Sequence, residues 1–98
     1  MPIYVTLAKA PAESVKSMGD VSKLYEKNKE ALAKRGIRYI AAYALLGRYD
    51  MMFIFEAPDE RAAMTTALST LRGAAVPTET WTAVPMEEFA RLTAILGD

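Results

Sequence analysis

Tyr43-Ala-Leu-Leu-Gly-Arg-Tyr-Asp-Met-Met-Phe-Ile-Phe-Glu-Ala57 decides how the rest of the chain is read. Two apolar runs flank a short turn that contains Gly47. Glycine supplies the φ > 0 backbone that tight hairpin loops need, so the stretch predicts a β-hairpin. The second run, Met51 to Phe55, is apolar at every position instead of alternating. Such a strand is buried on both faces and belongs in the middle of a sheet.

Outward from the hairpin, the flanks alternate between strand and helix patterns. Pro2 to Lys9 is β-branched and aromatic, with Ile3, Val5 and Leu7 on one face and Tyr4, Thr6 and Ala8 on the other. Pro11 suits a helix first turn, with Glu13 near its start. Gly19 interrupts that helix, and Ser17 or Asp20 could cap its continuation. From Val21 the positions Leu24, Tyr25, Ala31 and Leu32 keep helical spacing. Gly36 is suited to ending the helix after Lys34 and Arg35. Ile37 to Leu45 reads as a strand with Ile37, Tyr39, Ala41, Tyr43 and Leu45 on one face. After the hairpin, Asp59 is the expected N-cap of a helix to Arg72 that stops at Gly73, with Met64, Ala67, Leu68 and Leu71 inward. Val76 to Val84 is a strand that Pro77 confines to a sheet edge. Pro85 opens a last helix with Phe89, Leu92, Ile95 and Leu96 on one stripe.

The order strand, helix, strand, strand, helix, strand predicts an α+β, ferredoxin-like βαββαβ fold with an added C-terminal helix. Right-handed crossovers set its antiparallel sheet in the order 4-1-3-2. A single domain over 1–98 is expected, since the chain has 98 residues and that length supports one core. Three strands carry apolar residues on both sides, yet two helices cover only one face. The uncovered face is an apolar patch larger than monomers usually tolerate. A homodimer through the sheet face is therefore expected.

Composition limits the chemistry. The chain has no His and no Cys. Serine–histidine and cysteine–histidine catalysis, disulfides and ordinary zinc sites are thereby excluded. No metal site and no cofactor are expected. Lys plus Arg and Asp plus Glu are both 12, for zero net charge, which argues against nucleic acid as a partner. No apolar run approaches the ~20 residues of a membrane span, and the N-terminus lacks a signal-peptide pattern. No membrane partner is expected, and a cytoplasmic location is the default.

The turn Leu46-Gly-Arg-Tyr-Asp50 resembles the signature of the GYD domain family. The likeness extends to Met1-Pro-Ile-Tyr-Val-Thr-Leu7, to Glu56-Ala-Pro-Asp59 and to Thr78-Glu-Thr80. It implies a small bacterial α+β protein of the dimeric α/β-barrel type, without an established reaction. Gly47, Tyr49 and Asp50 carry over as structural or site positions. Met51-Met52 departs from the smaller β-branched residues expected after the Asp.

Two constellations are candidates for binding. In the first, Arg48 could hold an anion and Asp50 could act as a base; a structural reading has Asp50 accepting backbone N–H bonds that shape the turn. The second is aromatic, with Tyr4, Tyr39, Tyr43 and Trp81 near Thr6, Glu56 and Glu79. Dimeric barrels of this type often hold a small organic ligand between helices and sheet, and aromatic walls suit such pockets. The same residues also suit a core and a dimer interface. The ligand-binding candidates are Tyr4, Thr6, Tyr43, Arg48, Tyr49, Asp50 and Trp81, and no catalytic residue is assigned. Three functions stay open: a non-catalytic dimer binding a small molecule or protein in a regulatory or accessory role, a cofactor-independent isomerase or monooxygenase, and a structural assembly module. The enzyme reading requires a buried carboxylate beside a tyrosine.

Overall fold

The computed structural model describes residues 1–9, 21–74 and 78–97. Along them run β1 (Ile3–Ala8), α1 (Val21–Ala33), β2 (Arg38–Ala44), β3 (Met51–Glu56), α2 (Glu60–Ala74), β4 (Thr78–Ala83) and α3 (Met86–Ile95). The strands form one antiparallel four-stranded sheet in the order β2-β3-β1-β4. This is the expected ferredoxin-like arrangement. The expected helix start at Pro11, the break near Gly19 and the placement of Pro77 lie outside the described residues.

The core lies between one sheet face and helices α1 and α2. Tyr4, Thr6 and Ala8 of β1 point into it, and Phe55 of β3 is fully buried beside Leu32, Ile37, Ala57 and Ala63. Aromatic rings bind this layer together. Tyr4 stacks on Phe55 with centroids 5.7 Å apart, and Tyr39 lies 5.4 Å from Phe53 and 6.1 Å from Tyr25. Offset rings at such separations add attraction beyond their buried area.

Each helix end near the core has a local cause. At the end of α1, Gly36 adopts φ +80° and donates to the Ala33 carbonyl, while Ile37 donates to the Leu32 carbonyl. This pair of bonds defines a Schellman motif, and its usual apolar contact falls on Leu32 and Ile37, both buried. At the start of α2 the Asp59 carboxylate accepts from the Ala62 N–H at 2.9 Å, the N-cap bond expected of it.

Three expectations change. First, the alternation of β2 breaks at Ile40: Tyr39 faces Phe55 but Ala41 faces Ile54, so Ile40 is an extra, bulged residue. Ala41 and Tyr43 thereby move to the face away from the helices, opposite to Tyr39. Second, Met64 is 64% exposed, and α2 buries the smaller Ala63 and Thr66 instead; the helix also continues past Gly73 to Ala74. The side chains of Leu68 and Leu71 lie outside the described residues. Third, β3 is central, but its residues facing away from the helices, Met52 and Ile54, are only half-buried.

Candidate functional site

The sheet face turned away from α1 and α2 is the largest unexplained feature of the molecule. Opposed residues in an antiparallel ladder share a face, so the strand register lays out its surface. One row runs Trp81, Val5, Ile54, Ala41, and the next runs Glu79, Leu7, Met52, Tyr43. A third row, Ala83, Ile3, Glu56, Arg38, ends in a 2.9 Å ion pair between Arg38 and Glu56. The centre of the face is thus aliphatic. Aromatic side chains stand at its two edges, Trp81 52% exposed on β4 and Tyr43 54% exposed on β2.

The hairpin loop closes one end of this face. Leu45 donates to the Asp50 carbonyl at 2.8 Å, and the Asp50 N–H donates to the Ala8 carbonyl at 3.0 Å. The second bond ties the loop to β1. Gly47 adopts φ +147°, the conformation that the turn demands. These bonds aim Tyr49 across β1, where its hydroxyl donates to the Glu79 carboxylate of β4. That bond holds the Tyr49 phenol above its usual range, burial adds to the rise and the nearby Glu79 charge acts the same way, while Arg48 opposes them. Tyr49 therefore works as a clasp between the hairpin and the edge strand. Arg48 and Asp50 share the exposed loop with it.

Tyr4 and Thr6 lie on the other side of the sheet. Thr6 and Thr80 join their hydroxyls at 2.9 Å, and Tyr4, Glu60, Ala63, Met64, Ala67, Thr80 and Thr82 line an open cleft of about 200 Å³ between α2 and β1/β4. Burial first, then the Glu60 and Asp59 charges, raise the Tyr4 phenol pKa. The candidate residues thus divide into two groups. Tyr4 and Thr6 face the helices, and Tyr43, Tyr49 and Trp81 belong to the open face. They do not form one aromatic pocket, because the sheet stands between them and the Ile40 bulge separates Tyr43 from Tyr39.

Among the described residues the buried polar side chains are Thr6 and Thr66, so no carboxylate is buried beside a tyrosine. No group of three or more acidic, His or Cys side chains is gathered for a metal ion among these residues. No described helix is long and apolar enough to cross a membrane. What sequence reasoning missed is the partnership of Tyr49 with Glu79. Its only signal was the placement of a Tyr in the turn and a Glu on a Thr-rich edge strand.

The chain resembles known proteins along nearly its whole length. A protein of Thermus thermophilus named glutamine synthetase and cystathionine beta-lyase binding protein is 29% identical over 94 residues, covering 94% of this chain and 99% of that one. A solved structure described as FFRP-DM1 superposes with a TM-score of 0.55 at 20% identity, over 86% of this chain and all of the other. At that identity the likeness establishes the fold alone. The model of the GYD domain matches residues 4–93, the region that carries the Gly47–Asp50 turn, its clasp and all of the sheet except Ile3. The chain belongs to the GYD domain family.

Proposed function

We propose that this protein is a non-catalytic binding protein, a homodimer closed through its open sheet face, that associates with an enzyme in a regulatory or accessory role. The observation that carries the reading is the open face itself. A continuous surface built from Val5, Leu7, Met52, Ile54, Tyr43 and Trp81 is an association surface by its chemistry. A second copy is the natural occupant, because the centre of the face is apolar while its charged side chains, Glu79 and the paired Glu56 and Arg38, stand at its margins, and isologous contacts need only one such patch. Arg48, Tyr49 and Asp50 then sit at the rim of the dimer, and the cleft beside Tyr4 and Thr6 remains outside it, available to a small organic ligand. The chain acts as a single domain over 1–98.

The likeness to a protein named for binding two enzymes supports the choice of an enzyme as partner. Surfaces left outside the dimer, chiefly the helix layer, make that contact. The alternative, a cofactor-independent isomerase or monooxygenase, needs a buried carboxylate next to a tyrosine, and no observation among the described residues favours it. An assembly module would extend the sheet through the edge strands β2 and β4. The test is co-elution on a sizing column with glutamine synthetase and with cystathionine beta-lyase from the same source. Formation of a complex with either enzyme is the expected result. Failure of both to bind, at concentrations well above 1 μM, removes the support for an enzyme partner.

A further inference from the structure

Helix α3 and its C-cap are apolar along Phe89, Leu92 and Leu96, yet none of the helix residues is buried. Phe89 is 53% exposed and Leu92 48%. A helix stripe of this kind folds stably when packed against another apolar surface. Val84 and Pro85 link it to β4, so it departs from the rim of the open face, and Pro85, at φ −55° and ψ 142°, directs the chain outward in extended form. The molecule is correspondingly elongated, 54 Å in its longest dimension against 20 Å in its shortest.

We infer that α3 is an exchanged arm: in the dimer its apolar stripe packs over the β2 edge of the second copy, around Ile40 and Tyr43 of the partner subunit. This rests on the dimer proposed above and specifies how it is held. Two observations select the site. Outside α3 and its linker, the exposed large apolar side chains of the sheet are Trp81 on the β4 edge and Ile40 and Tyr43 on the β2 edge. An arm leaving β4 alongside Trp81 thus has the partner's β2 edge as its apolar counterpart, and the two-fold axis makes the contact occur twice. The charges also match. Glu87 and Glu88 occupy the first turn of α3, while Lys34 and Arg35, both exposed, precede β2. Arg91 is the single basic residue of α3 and lies away from the stripe, about 100° or more around the helix from Phe89 and Leu92.

Area leads to the same arrangement. Four strands ~4.8 Å apart and six residues long at ~3.3 Å each give the open face a footprint of about 400 Å². A stable interface buries about 800 Å² on each side. The arm, ~15 Å by ~10 Å, adds about 150 Å². The edge that it covers adds a similar amount on the other subunit. The face alone is half of what is needed, and face plus arm plus covered edge comes close to it.

The chain contains no cysteine, so cross-linking tests the contact cleanly. A copy carrying Leu92→Cys is mixed with a copy carrying Ile40→Cys and oxidised mildly, with Met64→Cys on α2 replacing Ile40→Cys as the control. The covalent heterodimer is expected for the 92–40 pair and not for 92–64. In parallel, the double variant Phe89→Glu/Leu92→Glu is expected to weaken the dimer about tenfold or more, with the cooperative unfolding of the monomer retained because α3 contributes nothing to its core. A dimer unaffected by the double variant, with no 92–40 cross-link, overturns the arm while leaving the face-to-face dimer standing. A double variant that stays dimeric but no longer captures an enzyme overturns it as well, and assigns α3 to that partner. A wild-type chain that is monomeric throughout overturns both proposals together.

Discussion

At Gly47 the backbone holds φ +147°, and no atom lies within 4 Å of the place a Cβ would take. Gly47→Ala therefore meets no steric neighbour and costs only the backbone strain, about 1–3 kcal/mol. A lowered thermal midpoint with an unchanged fold is the expected result, read by circular dichroism. Tyr39 makes a prediction about pH. Burial, and secondarily Tyr25, push its phenol from 10.0 up to about 12. Because the folded state favours the neutral phenol, its contribution is complete below pH 10 and is lost as pH rises from there towards 12. Tyr4 and Tyr49 shift in the same direction. Denaturant midpoints should thus fall as pH rises from 10 towards 12, and Tyr39→Phe should flatten that fall. An equal fall in the Tyr39→Phe variant assigns it to other groups.

At the level of elements, much of the fold is legible in the residues, and the gaps have physical reasons. The unbroken apolar run Met51–Phe55 marks the central position of β3, and Asp59 and Gly36 mark helix ends through bonds that the structure contains. The Asp59 cap predicts that Asp59→Ala lowers stability by about 1 kcal/mol, measurable by urea denaturation, with Asp59→Asn recovering most of it. The bulge at Ile40 left no trace in the sequence. From Tyr39 onward β2 carries only aromatic, aliphatic or small residues, so the pattern has no phase that a slip could disturb. The inward side of α2 was misplaced at Met64 for a related reason: close approach of helix and sheet favours Ala63 and Thr66, which an apolar-periodicity reading undervalues. Of the candidate site, the open face was legible because its strands are two-faced. The clasp between Tyr49 and Glu79 was not, since it joins residues far apart in the chain through a turn geometry that sequence alone does not specify.

For the whole molecule, the decisive asymmetry is one covered sheet face and one uncovered. Trp81 stands on the uncovered face, outside the core. Trp81→Ala should accordingly weaken self-association about tenfold or more, as interface tryptophans commonly do, while leaving the melting of the dissociated chain nearly unchanged. Loss of stability in the monomer would instead place Trp81 in the core. Whether a second copy covers the open face is read from molar mass by light scattering over a dilution series. A covered face gives about twice the chain's 10.8 kDa at micromolar concentration, dropping towards one chain only at high dilution or in the Ile54→Glu variant. A mass of one chain at every concentration contradicts it.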